Sequence, residues 1–176
     1  MHTLNPQDEL RRLFSGLVEH AFYADLGICV PALTDYLARM LADFIHVDRI
    51  YRLRTVDGEI IREVSRLQAE AHLGPDVSST YRDRVINRYI GDFTLFWVGM
   101  YPETLTGRRQ GGVDRLREYV LQGRRGYDIA SRLSRSDDAP PPTILHDLSE
   151  QFDWCVEGLH FVRQNWEQLG RQPRHN

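Results

Sequence analysis

From Ile90 to Tyr101 the chain is apolar on nearly every side of any helix it could form, with Phe93, Leu95, Phe96, Trp97, Val98 and Met100 in one run. A helix without a polar face is stable in water only when protein surrounds it. The longest apolar stretch, Phe93 to Tyr101, is about half the ~20 apolar residues of a membrane span and contains Thr94 and Gly99. It therefore predicts a central helix over residues ~79–101, enclosed by its neighbours or turned partly towards a second subunit. Ser78, Ser79 or Thr80 can cap its start, and Pro102 stops it. Gly91 and Gly99 would let neighbouring backbones approach it closely.

The flanking sequence supplies amphipathic partners. Asn5 is placed to cap a first helix with Pro6 in its first position and Asp8 and Glu9 in its first turn. Leu10, Leu13, Phe14, Leu17 and Ala21 then form a core-facing stripe. After a link at Asp25-Leu26-Gly27, Pro31 opens a second helix with Leu33, Tyr36, Leu37, Met40, Leu41 and Phe44 on one face. Val47 and Tyr51 keep that face, so the helix can run on to Leu53; the alternative is a strand at 49–54 with a hairpin at Asp57-Gly58. Ile60, Ile61, Val64, Leu67 and Ala71 give a third stripe, closed by Gly74-Pro75. Another helix follows from Val113, with a bend or break expected at Gly123 and Gly126, and a last one runs from Thr143 to Leu169.

The fold class is all-α: a single-domain bundle of about six helices. Its irregular parts are a flexible loop at 103–112, an extended proline-rich connector at 136–142 and a disordered tail at 171–176. At 176 residues the chain has the size of one domain, with a core large enough to need no staples. Cys29 and Cys155 are far apart and have no C-x-x-C partner, so reduced thiols are expected, with a single long-range disulfide as the other possibility. The first six residues lack the basic and apolar regions of a signal peptide, and the expected location is the cytoplasm.

All 22 basic side chains are arginine, the residue better suited to buried ion pairs. Eight arginines against three acids lie between Thr106 and Arg135, but the net charge of −3 argues against a nucleic-acid binder.

Asp92 is the anomaly of the central helix. A carboxylate taken out of water must be paired or neutralised, and Arg88, Arg124 or Arg125 could pair it. That makes Asp92 either one half of a structural Asp–Arg pair or the floor of a small-molecule pocket completed by Trp97, Glu103, Arg124, Arg125 and Tyr127. Gly123-Arg124-Arg125-Gly126-Tyr127 carries a weak suggestion of an anion loop, without the strand that phosphate-binding fingerprints follow.

Glu157-Gly158-Leu159-His160 matches the E-x-x-H of di-metal bundles, and His146 and Glu150 lie further up the same helix. Projected at about 100° per residue, these residues share one stripe with Asp153 and Gln164. Leu148, Phe152, Cys155, Leu159, Val162, Trp166 and Leu169 fall on the opposite face. Ligands for a bundle metal would have to point inwards, so neither a metal nor another cofactor is expected. His20, His46 and His72 are expected at the surface.

The 4-3 spacing of that apolar face resembles a coiled-coil seam. With no catalytic constellation in view, the sequence favours a non-enzymatic helical interaction or regulatory protein. A homodimer, or another protein partner, would share the apolar surface of the central and last helices. The alternative is a small-molecule-binding protein or enzyme with its pocket at Asp92.

Overall fold

The computed structural model describes residues 5–51, 78–106 and 112–171, with the side chains of 46–51 and 112–114 left aside. Described residues form seven α-helices and one wide π turn, with no strand. The fold is all-α. In chain order the helices are α1 (Pro6–Glu19), α2 (Pro31–Tyr51), α3 (Ser79–Met100), α4 (Pro102–Thr106), α5 (Gly112–Leu133), α6 (Pro142–Glu150) and α7 (Phe152–Arg171). No helix among them is long and apolar enough to cross a membrane. The expected stripe at 60–71 and the turn at Asp57-Gly58 lie outside the described residues, but α2 is helical as far as Tyr51, where the alternative had a strand.

The two expected caps form. Asn5 accepts from the Gln7 amide at 3.3 Å, and Ser78 accepts from the Tyr81 amide at 3.3 Å. Beyond Glu19 the chain widens into the π turn His20–Asp25, which ends at Gly27 in the left-handed region (φ 70°). The widening lays the Phe22 ring on Gly158 of α7, where any Cβ would collide with it.

Residues 91–100 of α3 are all buried. This chain alone encloses them. Of the two expected arrangements, enclosure by its own neighbours is the one formed: α5, α7 and the aromatic face of α2 cover this stretch.

The described structure departs from expectation in four other places. Residues 103–106, expected as loop, belong to the short helix α4. α5 passes through Gly123 and Gly126 unbroken, because those glycines are packing positions and not kinks. A Cβ on Gly123 would meet the Phe152 ring at 2.6 Å, and one on Gly126 would meet the Asn87 carbonyl oxygen at 2.7 Å. The expected last helix is two, divided at Gln151 (φ −104°, ψ 24°).

The connector before α6 is turned rather than extended, and it contains a cis Ala139–Pro140 bond. Arg84, 1% exposed, holds it in place. Its Nε donates to Ser134 Oγ at 2.6 Å, its terminal nitrogen donates to the Pro140 carbonyl at 2.9 Å, and Asp138 lies 3.5 Å away. A charge this deep is tolerable because hydrogen bonds and a counter-ion surround it.

Candidate functional site

Asp92 sits on α3 with α5 on one side and α2 on the other. The approach of α5 is set by two glycines that face each other: Gly126 lies against the backbone of Asn87 and Gly91, and the Tyr127 ring lies 2.6 Å from where a Cβ of Gly91 would be. Side chains at either position would hold the helices apart. Their absence lowers the Tyr127 hydroxyl to 2.7 Å from Asp92 Oδ1, to which it donates. From α2, the Tyr36 hydroxyl donates to the same oxygen at 2.5 Å. Met40 Sδ lies 4.0 Å from the Tyr127 hydroxyl and closes the apolar side of the group.

The carboxylate is 6% exposed and Tyr127 is fully buried. Burial pushes the Asp92 carboxyl above the usual carboxylate range. The Arg88 guanidinium one turn earlier and the two hydroxyls pull it back, and Asp43 of α2 adds to the rise. Burial, and then the charge of Asp92, raises both phenols well above their ordinary value. They are therefore hydroxyl donors across the whole neutral range. Among the described residues no guanidinium forms an ion pair with Asp92. Arg88 acts on it through the field, lies 5.2 Å over the Tyr89 ring, and leaves its own buried Nε without a partner.

The structure brings together Asp92 and Tyr127 of the six predicted site residues and places the other four elsewhere. Trp97 is buried among Phe93, Phe96 and Tyr101, with ring centroids 5.5–6.3 Å away. Its indole N–H has no partner among the described residues. Glu103 pairs with Arg163 of α7 at 2.5 Å. Arg124 reaches Asp153 at 3.6 Å, and Arg125 is exposed. Because 123–127 is mid-helix, its amides are spent on the helix ladder and cannot cradle an anion.

On the last two helices, His146, Glu150, Asp153, Glu157 and Gln164 are exposed as the projection required. His160 departs from that pattern. It is half-buried, and its Nε2 lies 3.2 Å from the Val98 carbonyl near the end of α3. Arg163 donates to the Met100 carbonyl at 2.8 Å, so α7 satisfies two terminal carbonyls of α3. No group of three or more His, Cys, Asp or Glu among the described residues is placed to hold a metal ion.

Family models, characterised proteins and solved structures give no match to this chain. The site is a desolvated carboxyl group that ties three helices through hydroxyl donors. Tyr36 was legible in part, since a tyrosine inside an apolar stripe needs a partner for its hydroxyl. Arg84 carried no such signal, being one of 22 arginines in a polar stretch.

Proposed function

We propose that this chain is a non-enzymatic helical interaction protein that pairs with a second copy of itself. The observation that carries the reading is the outer face of α7. Trp154 is 54% exposed and Leu169 50% exposed. Phe161, partly buried with part of its ring packed against the core, lies between them in sequence and within about 80° of both around the helix. Monomeric proteins seldom leave a tryptophan and other large apolar groups aligned along one helix without use for them.

The ends of this stripe are about 22 Å apart along α7, at 1.5 Å per residue. A twofold, antiparallel pairing of α7 sets Trp154 of each chain beside Leu169 of the other, with Phe161 near the axis. It also brings Asp153 and Glu157, exposed near the start of the helix, to the exposed Arg171 at the partner's end. The two cysteines, free in the structure with Cys29 exposed and Cys155 buried, support a reducing compartment such as the cytoplasm. One core cluster running through all the long helices supports a single domain.

Sedimentation equilibrium at micromolar concentration tests the pairing. A dimer is expected, and Trp154→Glu should dissociate it while changing the stability of the fold by no more than about 0.5 kcal/mol. A mass of 20.5 kDa across the whole range for the parent chain would refute it.

The second reading is a small-molecule site around Asp92 and Tyr127, favoured by their convergence at 2.7 Å in a buried setting. Native mass spectrometry of protein from its own host, showing a bound small molecule that Tyr127→Phe loses, would put it first.

A further inference from the structure

α3 is held differently by its two neighbours at Asp92. Against α5 the contact is backbone to backbone, through Gly91 and Gly126, and cannot slide without a clash. Against α2 it is made by side chains that reach across: Tyr36 to Asp92, and Phe44 to Phe93 and Phe96 at centroid distances of 5.8 and 5.0 Å. Tyr36 is the polar member of that set and is half-buried. Tyr36 covers the carboxylate from the α2 side, and Met40 covers the Tyr127 hydroxyl beside it, so an α2 that lifted would let water in.

A carboxylate is far better hydrated than a carboxylic acid, so covering it is costlier when it is charged. Both tyrosine hydroxyls can still donate to Oδ1 when Oδ2 carries a proton, so protonation removes the charge without breaking the hydrogen bonds. We propose that the seating of α2 on α3 is coupled to uptake of one proton by Asp92, making this junction a pH-sensitive joint that tightens as the medium becomes more acidic.

The charged and titratable groups acting on this joint come from four helices. On α2 they are Tyr36 and Asp43, whose negative charge favours the protonated carboxyl. On α3 they are Arg88, which opposes protonation, and Tyr89 beside it. On α5 there is Tyr127, and on α7 Cys155, which acts on Tyr127. Only Arg88 among them is cationic, and it forms no ion pair with Asp92. The raised carboxyl value agrees with the geometry.

The sign is opposite to ordinary acid loosening. An acid whose value is higher with α2 seated than with α2 lifted takes up a proton on seating. The opening constant therefore falls as the pH falls through the seated value, by up to tenfold per pH unit while one proton is linked. The effect stops below the ordinary carboxylate value, where both states are protonated.

Native-state hydrogen exchange on the full chain between pH 4.5 and 8, corrected for intrinsic exchange rates, tests this. Residues 31–45 of α2 should become more protected as the pH falls, relative to 152–162 of α7. In Asp92→Asn, α2 should be well protected at every pH, with that relative dependence gone. Arg88→Gln should move the dependence to higher pH. The proposal is overturned if α2 of the parent loses protection on acidification, if α2 and α7 respond equally, or if Asp92→Asn keeps the parental dependence. A carbon-13 titration of the Asp92 carboxyl gives an independent check: a midpoint at or below the ordinary aspartate value would overturn the proposal even with exchange data in its favour.

Discussion

Replacing Asp92 by asparagine should cost almost nothing, whereas alanine at the same place should be clearly destabilising. Asp92→Ala removes the oxygen to which the Tyr36 hydroxyl and the fully buried Tyr127 hydroxyl donate, and leaves Tyr127 facing only the Met40 thioether at 4.0 Å among the described residues. An unsatisfied buried group costs about 1–3 kcal/mol, and both phenols feel the burial. Against this stands the relief of a desolvated carboxylate, so the net expectation is a loss of about 2–4 kcal/mol. Asparagine keeps an oxygen at Oδ1 for both hydroxyls and removes the charge, so Asp92→Asn should stay within about 1 kcal/mol of the parent and lie on the stabilising side at pH 7.5. The native carboxyl value is above the unfolded one, so the folded parent holds its proton more firmly than the unfolded chain does. Its stability relative to Asp92→Asn should therefore rise as the pH falls through the native value, and level off below about 3.9. Urea melts of the three proteins from pH 4.5 to 8 measure all of this, and comparison with the variant cancels the titration of other groups. If asparagine is as damaging as alanine at pH 7.5, the carboxylate's charge is what the site needs and the desolvation argument fails.

Four further outcomes can be measured with the same chain. Gly126→Ala should destabilise by about 1–3 kcal/mol, because its Cβ would meet the Asn87 carbonyl at 2.7 Å and the backbone cannot yield cheaply; Gly16→Ala on α1, with nothing within 4 Å, should instead stabilise by about 0.5–1 kcal/mol in a thermal melt. Iodoacetamide at pH 8 should label the exposed Cys29 and leave Cys155, whose thiol burial pushes up to about 12, untouched until urea is added. Arg84→Met should cost about 3–5 kcal/mol by urea melt, since it strands Asp138 and the Pro140 carbonyl.

The fold was readable where burial follows helical period. The caps at Asn5 and Ser78, the apolar face of the last two helices from Leu148 to Val162 and the enclosure of residues 91–100 all follow from spacing that a single segment displays, whereas Leu169, expected on that face, is half exposed. The failures share one cause: the deciding contact is with a residue distant in sequence. Gly123 and Gly126 look like helix breakers until Phe152 and Asn87 are set against them. Asp92 demanded a partner, and arginine was the natural choice from a sequence with 22 of them. Two tyrosines filled the role because the glycine crossing brings Tyr127 within reach and the apolar stripe of α2 supplies Tyr36. Arg124 and Arg125 entered the predicted site as candidate counter-ions for Asp92, with Glu103 beside them, and surface ion pairs or solvent hold all three instead.

The anchoring of the connector by Arg84 bears on how this protein can be handled. A stretch of acids, alanine and three prolines between two helices invites use as a place to insert a tag, graft a domain or cut the chain. Here Ser134, Asp138 and Pro140 are fastened from beneath by a guanidinium that has almost no contact with water. Added residues would pull those acceptors away and leave the cation stranded in the interior. The surface loop most tempting to an engineer is thus tied to the core through Arg84, and an insertion there should cost stability even though the connector lies at the surface.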